Sequence, residues 1–151
     1  PTTAVDVTIQ SQLLELIRGI TDEMGMSLIL ITHNLGVVAR YAQTVYVMYA
    51  GMIVEHGLAL EVYHHPFHPY TSGLLASVPR LDEPRKSRLA PIEGQPPDMM
   101  CPPEGCPFQP RCQYSTPKCI TDRPDLVEIA PGHYSACWVA SSGEMPWQKM
   151  L

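Results

Sequence analysis

No cysteine occurs before residue 101; the five present stand at 101, 106, 112, 119 and 137 of a 151-residue chain. No apolar run approaches the roughly 20 residues that a membrane-crossing helix needs. The start of the sequence shows no charged-then-apolar secretory leader. An odd number of cysteines without such a leader points to metal binding rather than a disulfide framework. Basic residues are few: Lys and Arg total 10 against 15 Asp and Glu, for a net charge of −5. The one short basic run, PRKSR at 84–88, follows Asp82 and Glu83. With no basic stripe, a nucleic-acid partner is not expected. Charged residues make up only 17% of the chain, which suggests a surface that partners cover. Hydrophobic residues make up 45%, which excludes a disordered composition. The length suffices for one domain with a core, or a small domain plus an appendage. The chain opens abruptly on PTTAVD, with Pro rather than Met, so we expect a piece of a longer protein.

What is present changes character near residue 79. Eleven of the 16 prolines fall between Pro84 and Pro131, a density that excludes regular helix or central strand there. A boundary is expected at 79–90, and no internal repeat is visible. Upstream, Ile9, Leu13, Leu16, Ile17, Ile20 and Met24 recur at helical spacing and predict an amphipathic helix over 7–24. Asp6 stands at its N-cap and Gly25 at its stop. Residues 27–32 form a short run of Ile and Leu after that helix, which predicts a buried parallel strand of an α/β sheet. One strand makes no parallel sheet, so its neighbours are expected from residues before Pro1. Asn34 caps a second predicted helix with Leu35, Val38, Ala39 and Ala42 on one face. TVYVMYAGMIVEHG (44–57) reads as a hairpin with an irregular turn at Ala50-Gly51. Short helices are expected around LALEVYHH and around 70–78.

His33 follows directly on the predicted strand. In open α/β sheets, ligands bind outside the carboxyl ends of the strands. An imidazole there can donate a hydrogen bond to a phosphate oxygen. On spacing alone, though, His33 reads as an ordinary loop residue and Asp6 as a plain helix cap. Four thiolates suit either Zn²⁺ or a cubane iron–sulfur cluster. The spacings here, x4, x5, x6 and x17, contain no C-x-x-C, so a zinc ribbon or finger is not indicated. Prolines at 102, 103, 107, 110 and 117 reduce the entropy lost when that loop orders. Reduced cysteines acting as small hydrophobes are the bland alternative.

Several motifs, in order, resemble one family. TTAVD looks like the D-loop of an ABC transporter ATPase. ITHNL looks like its switch-histidine loop, and VMYAGMIVEHG like the strand pair that follows. HPFHPYTSGLLASVP (65–79), GQPPD and GCPFQPRC then resemble the C-terminal extension of oligopeptide and dipeptide importer ATPases, a group that includes nickel importers. Val5, where many ABC proteins carry Leu, is a mild departure. The resemblance covers about residues 1–138.

It implies an α/β fold: the C-terminal part of an ABC-type P-loop ATPase domain with an incomplete sheet over 1–79, a small irregular Pro/Cys-rich metal-cluster module over 80–140, and a tail over 141–151. It implies that His33 contacts the γ-phosphate of ATP and that Asp6 lies at the interface between two nucleotide sites. The 151 residues contain no G-x-x-x-x-G-K-[ST] phosphate loop, no signature sequence and no Walker B acidic pair. ATP and Mg²⁺ are therefore expected only in a full-length subunit, and this chain alone is expected to be inactive. For the cysteines, the resemblance implies a [4Fe–4S] cluster on Cys106, Cys112, Cys119 and Cys137, with zinc the second choice and Cys101 left over. The role expected is structural, with Phe108 and Trp138 shielding the cluster.

The same resemblance implies the partners: a second ATP-binding subunit, membrane permease subunits and, indirectly, an extracytoplasmic binding protein. The location it implies is the cytoplasmic face of the cell membrane, peripherally held. The function expected is powering import of peptides, with nickel as a possible cargo class. Two other readings compete: a soluble ABC ATPase outside transport, and a stand-alone metal-binding interaction module. His64, His65 and His68 are expected to be turn residues rather than ligands, because Pro66 breaks their helical spacing. Met24, Met26, Met48 and Met52 are expected as core filler.

Overall fold

The computed structural model describes residues 6–78 and 91–150. TTAVD up to Val5, the PRKSR run and the boundary expected at 79–90 lie outside them. The chain divides into two compact units, Pro1–His33 and Asn34–Leu151.

In the first unit, helix α1 spans Val7–Met24. Asp6 Oδ1 accepts the Thr8 N–H at 2.9 Å, so one of the free N-terminal donors is satisfied. At the other end Gly25 takes the left-handed conformation, φ 63°. The Gly25 N–H bonds Asp22 O and the Met26 N–H bonds Thr21 O, a Schellman closure. The strand expected at 27–32 is not formed: the stretch takes no strand conformation, and Ile29 and Ile31 are 88% and 92% exposed. A strand exists by sharing its backbone bonds with a neighbour, and the described residues of this unit supply none. For the same reason Ile9, Leu16, Ile20, Met24 and Met26 are exposed rather than covered, although Leu14 is buried.

The second unit opens with α2 (Leu35–Tyr41). Asn34 Oδ1 caps it by accepting the N–H groups of Gly36 and Val37 at 3.0 and 3.3 Å. Strands β1 (Thr44–Tyr49) and β2 (Met52–Leu58) form the expected hairpin. Its turn is tight rather than irregular. Tyr49 pairs with Met52, and the two turn residues Ala50 and Gly51 both take positive φ, 48° and 73°. That geometry matches the right-handed twist of the flanking strands. The irregularity sits inside the ladder, as a shift between Val47 and Met48. Met48 points outward and is exposed. Helices α3 (Ala59–His64) and α4 (Pro69–Ala76) follow.

The proline-rich stretch is more ordered than its composition suggests. It carries a 3-10 turn at Gln109–Arg111, helix α5 (Pro117–Thr121), strands β3 (Val127–Ala130) and β4 (His133–Ser135), and helix α6 (Trp138–Ser141). A second 3-10 turn spans Pro146–Met150. The sheet order is β1-β2-β4-β3, every pair antiparallel. Thus the central strand β4 begins just past Pro131, and what lies inside the proline-dense region is the edge strand β3. The prolines bracket it: Pro124 precedes the β3–β4 hairpin and Pro131 sits in its turn, where no ladder bond is lost. The α/β class holds, but the sheet is antiparallel, because its strands come from hairpins and not from crossovers.

One carboxylate joins these pieces. Glu55 on β2 is fully buried. Its Oε1 accepts the Phe67 N–H at 2.6 Å and His133 Nε2 at 2.8 Å, and its Oε2 accepts the His68 N–H at 3.0 Å. A carboxylate only accepts, so His133 carries its hydrogen on Nε2. Ser135 Oγ donates to Phe67 O at 3.0 Å, and Trp147 Nε1 donates to Pro66 O at 2.9 Å. The buried HPFHP turn thereby has its backbone groups satisfied from β2, β4 and the C-terminal turn. His133 reaches Glu55 only because residue 57 is glycine: a Cβ there would meet His133 Cδ2 at 2.9 Å. Glu55→Gln leaves a buried group with one acceptor for three donors. We expect it to lower unfolding free energy by about 3 kcal/mol. Urea unfolding checks this, and an unchanged midpoint would overturn the role given to Glu55.

Candidate functional site

Two groups of candidates were expected, and they lie in different settings. Asp6 and His33 both belong to the first unit and both are exposed. The Asp6 carboxylate is already engaged as the α1 cap. His33 lies just beyond the irregular 27–32 stretch, at the end of its unit.

The four cysteines singled out lie in the second unit, in two adjoining apolar clusters. Cys106 and Cys119 are buried with Tyr49, Val54 and Phe108, and Cys112, Tyr70, Ile92 and Trp138 pack against them. Cys137 is buried with Phe67, Ala140 and Trp147, against Tyr114 and Val139. The main chain draws two of them close: the Cys106 N–H bonds Cys119 O at 2.9 Å. Gly105 makes this approach possible, since a Cβ there would collide with the Cys119 carbonyl. Arg111 fastens the incoming segment, donating to Ile92 O and Glu93 O at 2.9 Å each. All five thiols are free, and Cys101 is exposed and apart from this group.

Burial pushes the thiols toward the neutral form, as loss of solvation disfavours a thiolate. It pushes Cys112 up to about 12 and Cys137 up to about 11, and raises Cys106 as well. Two opposing influences act on each. Backbone hydrogen bonds favour the thiolate: from Phe108 and Gln109 at Cys106, from Tyr114 at Cys112, and from Ala140 and Val139 at Cys137. Neighbouring thiols disfavour it. Cys112 feels Cys137, Cys106 and Cys119; Cys137 feels Cys106 and Cys119. The four sulfurs are therefore within electrostatic reach of one another. Even so, among the described residues no group of three or more His, Cys, Asp or Glu is placed to hold a metal ion. The metal-cluster module is thus not supported by the geometry, and the thiols occupy the apolar clusters as small side chains do. Phe108 is buried beside Cys106 and Cys119. Trp138 is half-buried, with its Nε1 bound to Asp122 O at 3.0 Å and the Lys118 ammonium 3.5 Å above its ring.

The histidines separate cleanly. His64 and His65 are exposed. His68 is buried, and its Nδ1 accepts the Tyr70 N–H at 3.1 Å, capping α4 ahead of Pro69. Sequence reading missed both Glu55 and Trp147. The signal for Glu55 was a lone acid between buried positions of MIVEHG. Trp147 is 1% exposed and gave no signal in its own stretch.

Burial depresses the His68 imidazole to about 3. Its folded value lies below the ordinary value of 6.5, so the unfolded chain binds the extra proton between those limits. Stability is therefore expected to be full above about pH 6.5 and to fall as pH drops toward about 3. The full one-proton difference corresponds to about 1.4 kcal/mol per pH unit. His68→Asn, which keeps a capping acceptor, is expected to flatten that slope by one proton. Urea unfolding across this acid range measures it, and an unchanged slope would exclude His68 as its source.

Against known proteins, residues 54–119 match the family described as oligopeptide/dipeptide transporter, C-terminal region. That match begins beside Glu55 and ends at Cys119. The chain is 49% identical over 139 residues to the dipeptide transport ATP-binding protein DppD of Bacillus subtilis, covering 92% of this chain and 41% of that protein. It is 43% identical over 141 residues to the oligopeptide transport ATP-binding protein OppD of Haemophilus influenzae, 93% of this chain and 43% of that protein. With OppD of Mycobacterium tuberculosis the identity is 46% over 137 residues, 91% of this chain and 22% of that protein. The chain spans less than half the length of these relatives. Over the length that it spans, it is similar to oligopeptide and dipeptide transport ATP-binding proteins.

Proposed function

We propose that this chain is part of the ATP-hydrolysing subunit of a peptide importer, one of a pair that closes on ATP and reopens on hydrolysis. The observation that carries this reading is identity of 43–49% to transport ATP-binding proteins over more than nine-tenths of the chain. The subunit works with a second ATP-binding subunit and with membrane permeases, at the cytoplasmic face of the membrane. Among the described residues no helix is long and apolar enough to cross a membrane, which suits a peripheral placement. Di- and oligopeptides are the cargo class, with nickel the second candidate.

In this reading His33 donates a hydrogen bond to the γ-phosphate and holds the attacking water in line. Asp6 stands at the interface between the two nucleotide sites. Both residues are exposed, and the Asp6 carboxylate also caps α1 through Oδ1. The phosphate loop, the signature and the magnesium ligands are not among these 151 residues, so the chain by itself hydrolyses no ATP. His33→Ala in the full-length subunit is expected to lower ATP turnover by about 100-fold or more, as removal of one preorganised donor does. Peptide uptake by reconstituted vesicles should fall with it while nucleotide binding stays. Uptake at the wild-type rate would remove His33 from the mechanism.

We also propose that Cys106, Cys112, Cys119 and Cys137 hold a [4Fe–4S] cluster, with zinc the second choice. Four mutually coupled thiols, three with backbone donors directed at sulfur, support this reading. No three of them are placed to hold a single ion. A cubane bonds each cysteine through its own iron and so accepts a wider set. When bound, such a cluster would cross-link the segments that carry Cys106, Cys112, Cys119 and Cys137 to one another. The chain's own residues exclude water through Phe108, Tyr114 and Trp147 and offset thiolate charge through Arg123 beside Cys106. An anaerobic preparation is expected to be brown and to contain iron and acid-labile sulfide in equal amounts. A colourless preparation containing zinc would overturn this choice.

A further inference from the structure

His33 closes the first unit, and Asn34, joined to it by one peptide bond, opens the second. The second unit holds the residues just past that bond closely. Asn34 caps α2 twice: its side chain accepts from Gly36 and Val37, and its carbonyl accepts the Val38 N–H at 3.2 Å. A third hold comes from far along the chain. Tyr63, on α3, donates its hydroxyl hydrogen to Leu35 O at 2.5 Å. Burial raises the phenol above its ordinary value of 10.0, and a backbone hydrogen bond from Ala39 opposes that rise. The hydroxyl thus donates to residue 35 and accepts from residue 39, so it bridges one rung of the i→i−4 ladder of α2.

Helix α3 is itself firmly seated. The Ala59 N–H bonds Gln43 O at 2.9 Å, just past the other end of α2. Val62 is buried, and a Cβ on Gly57 of β2 would stand 3.3 Å from its side chain. After His65 the chain enters the turn whose N–H groups bond Glu55. Tyr63 therefore ties the start of α2 to a helix that rests on β2. A donor aids a transition state only when it is held in place beforehand. We infer that Tyr63 is a positioning residue for His33: its hydroxyl fixes the first turn of α2, and with it the backbone from which the histidine extends. This rests on the reading of His33 as the γ-phosphate donor given above. The plain alternative is a hydroxyl that only stabilises α2.

Tyr63→Phe in the full-length subunit keeps the ring and removes one oxygen. Its kcat for ATP is expected to fall about tenfold, as loss of one hydrogen bond allows, with nucleotide affinity unchanged. The double variant separates the two roles. If Tyr63 acts through His33, adding Tyr63→Phe to His33→Ala lowers turnover no further. Steady-state ATP hydrolysis by the four proteins measures this, with urea unfolding run beside it. A further tenfold loss in the double variant overturns the inference, as does a Tyr63→Phe subunit with wild-type turnover. Both results leave the role of His33 standing. Wild-type turnover in His33→Ala removes that role and this inference together. A Tyr63→Phe subunit that does not fold assigns the hydroxyl to stability and overturns the inference as well.

Discussion

The buried carboxylate of Glu55 is the constraint on which the second unit depends. A charge with no exposure is tolerable only when its lone pairs are taken up. Here they receive two backbone N–H groups from the HPFHP turn and one from an imidazole 78 residues away. The two local bonds fold the turn back on β2. The distant one brings the β3–β4 hairpin beside it. Without this hub, the turn would present unpaired backbone groups in the interior, and β4 would lose the anchor that sets its register against β2.

The thiol pocket is a consequence of the same geometry. Phe67 stacks on the ring of His133 at 4.2 Å and shares an apolar cluster with Cys137. Phe108 packs edge-on to Tyr49 at 5.3 Å and shares the other cluster with Cys106 and Cys119. The hairpin and the turn thus each wall one side of the sulfurs. Burial makes bare thiolates costly, while the main chain aims donors at the same atoms. The raised values leave the free thiols inert.

Local chemistry was legible in the sequence where it was self-sufficient. Asp6, Gly25 and Asn34 act on backbone groups within a few residues, so α1 and the start of α2 follow from them directly. The hairpin was legible for the same reason, although Ala50 concealed its turn type, since alanine seldom takes positive φ. Residues 27–32 show the opposite case. Their apolar run states what they would do beside other strands, and no such strands stand among the described residues of their unit. The β3–β4 hairpin was hidden by averaging: proline was counted across a long window, while the two short strands fall between prolines. Of the candidate site, sequence selected four cysteines that the fold does gather. It could not foresee their separation, because that depends on contacts such as Gly105 against the Cys119 carbonyl.

The seat of Trp147 on the Pro66 carbonyl has a consequence in time. The two groups are 81 residues apart. At about 5 to 20 residues per second of synthesis, roughly 4 to 16 s separate the appearance of the proline from that of its indole cover. Through that interval the Pro66 carbonyl lacks its indole donor. The cover of the turn is thus among the last contacts that synthesis allows.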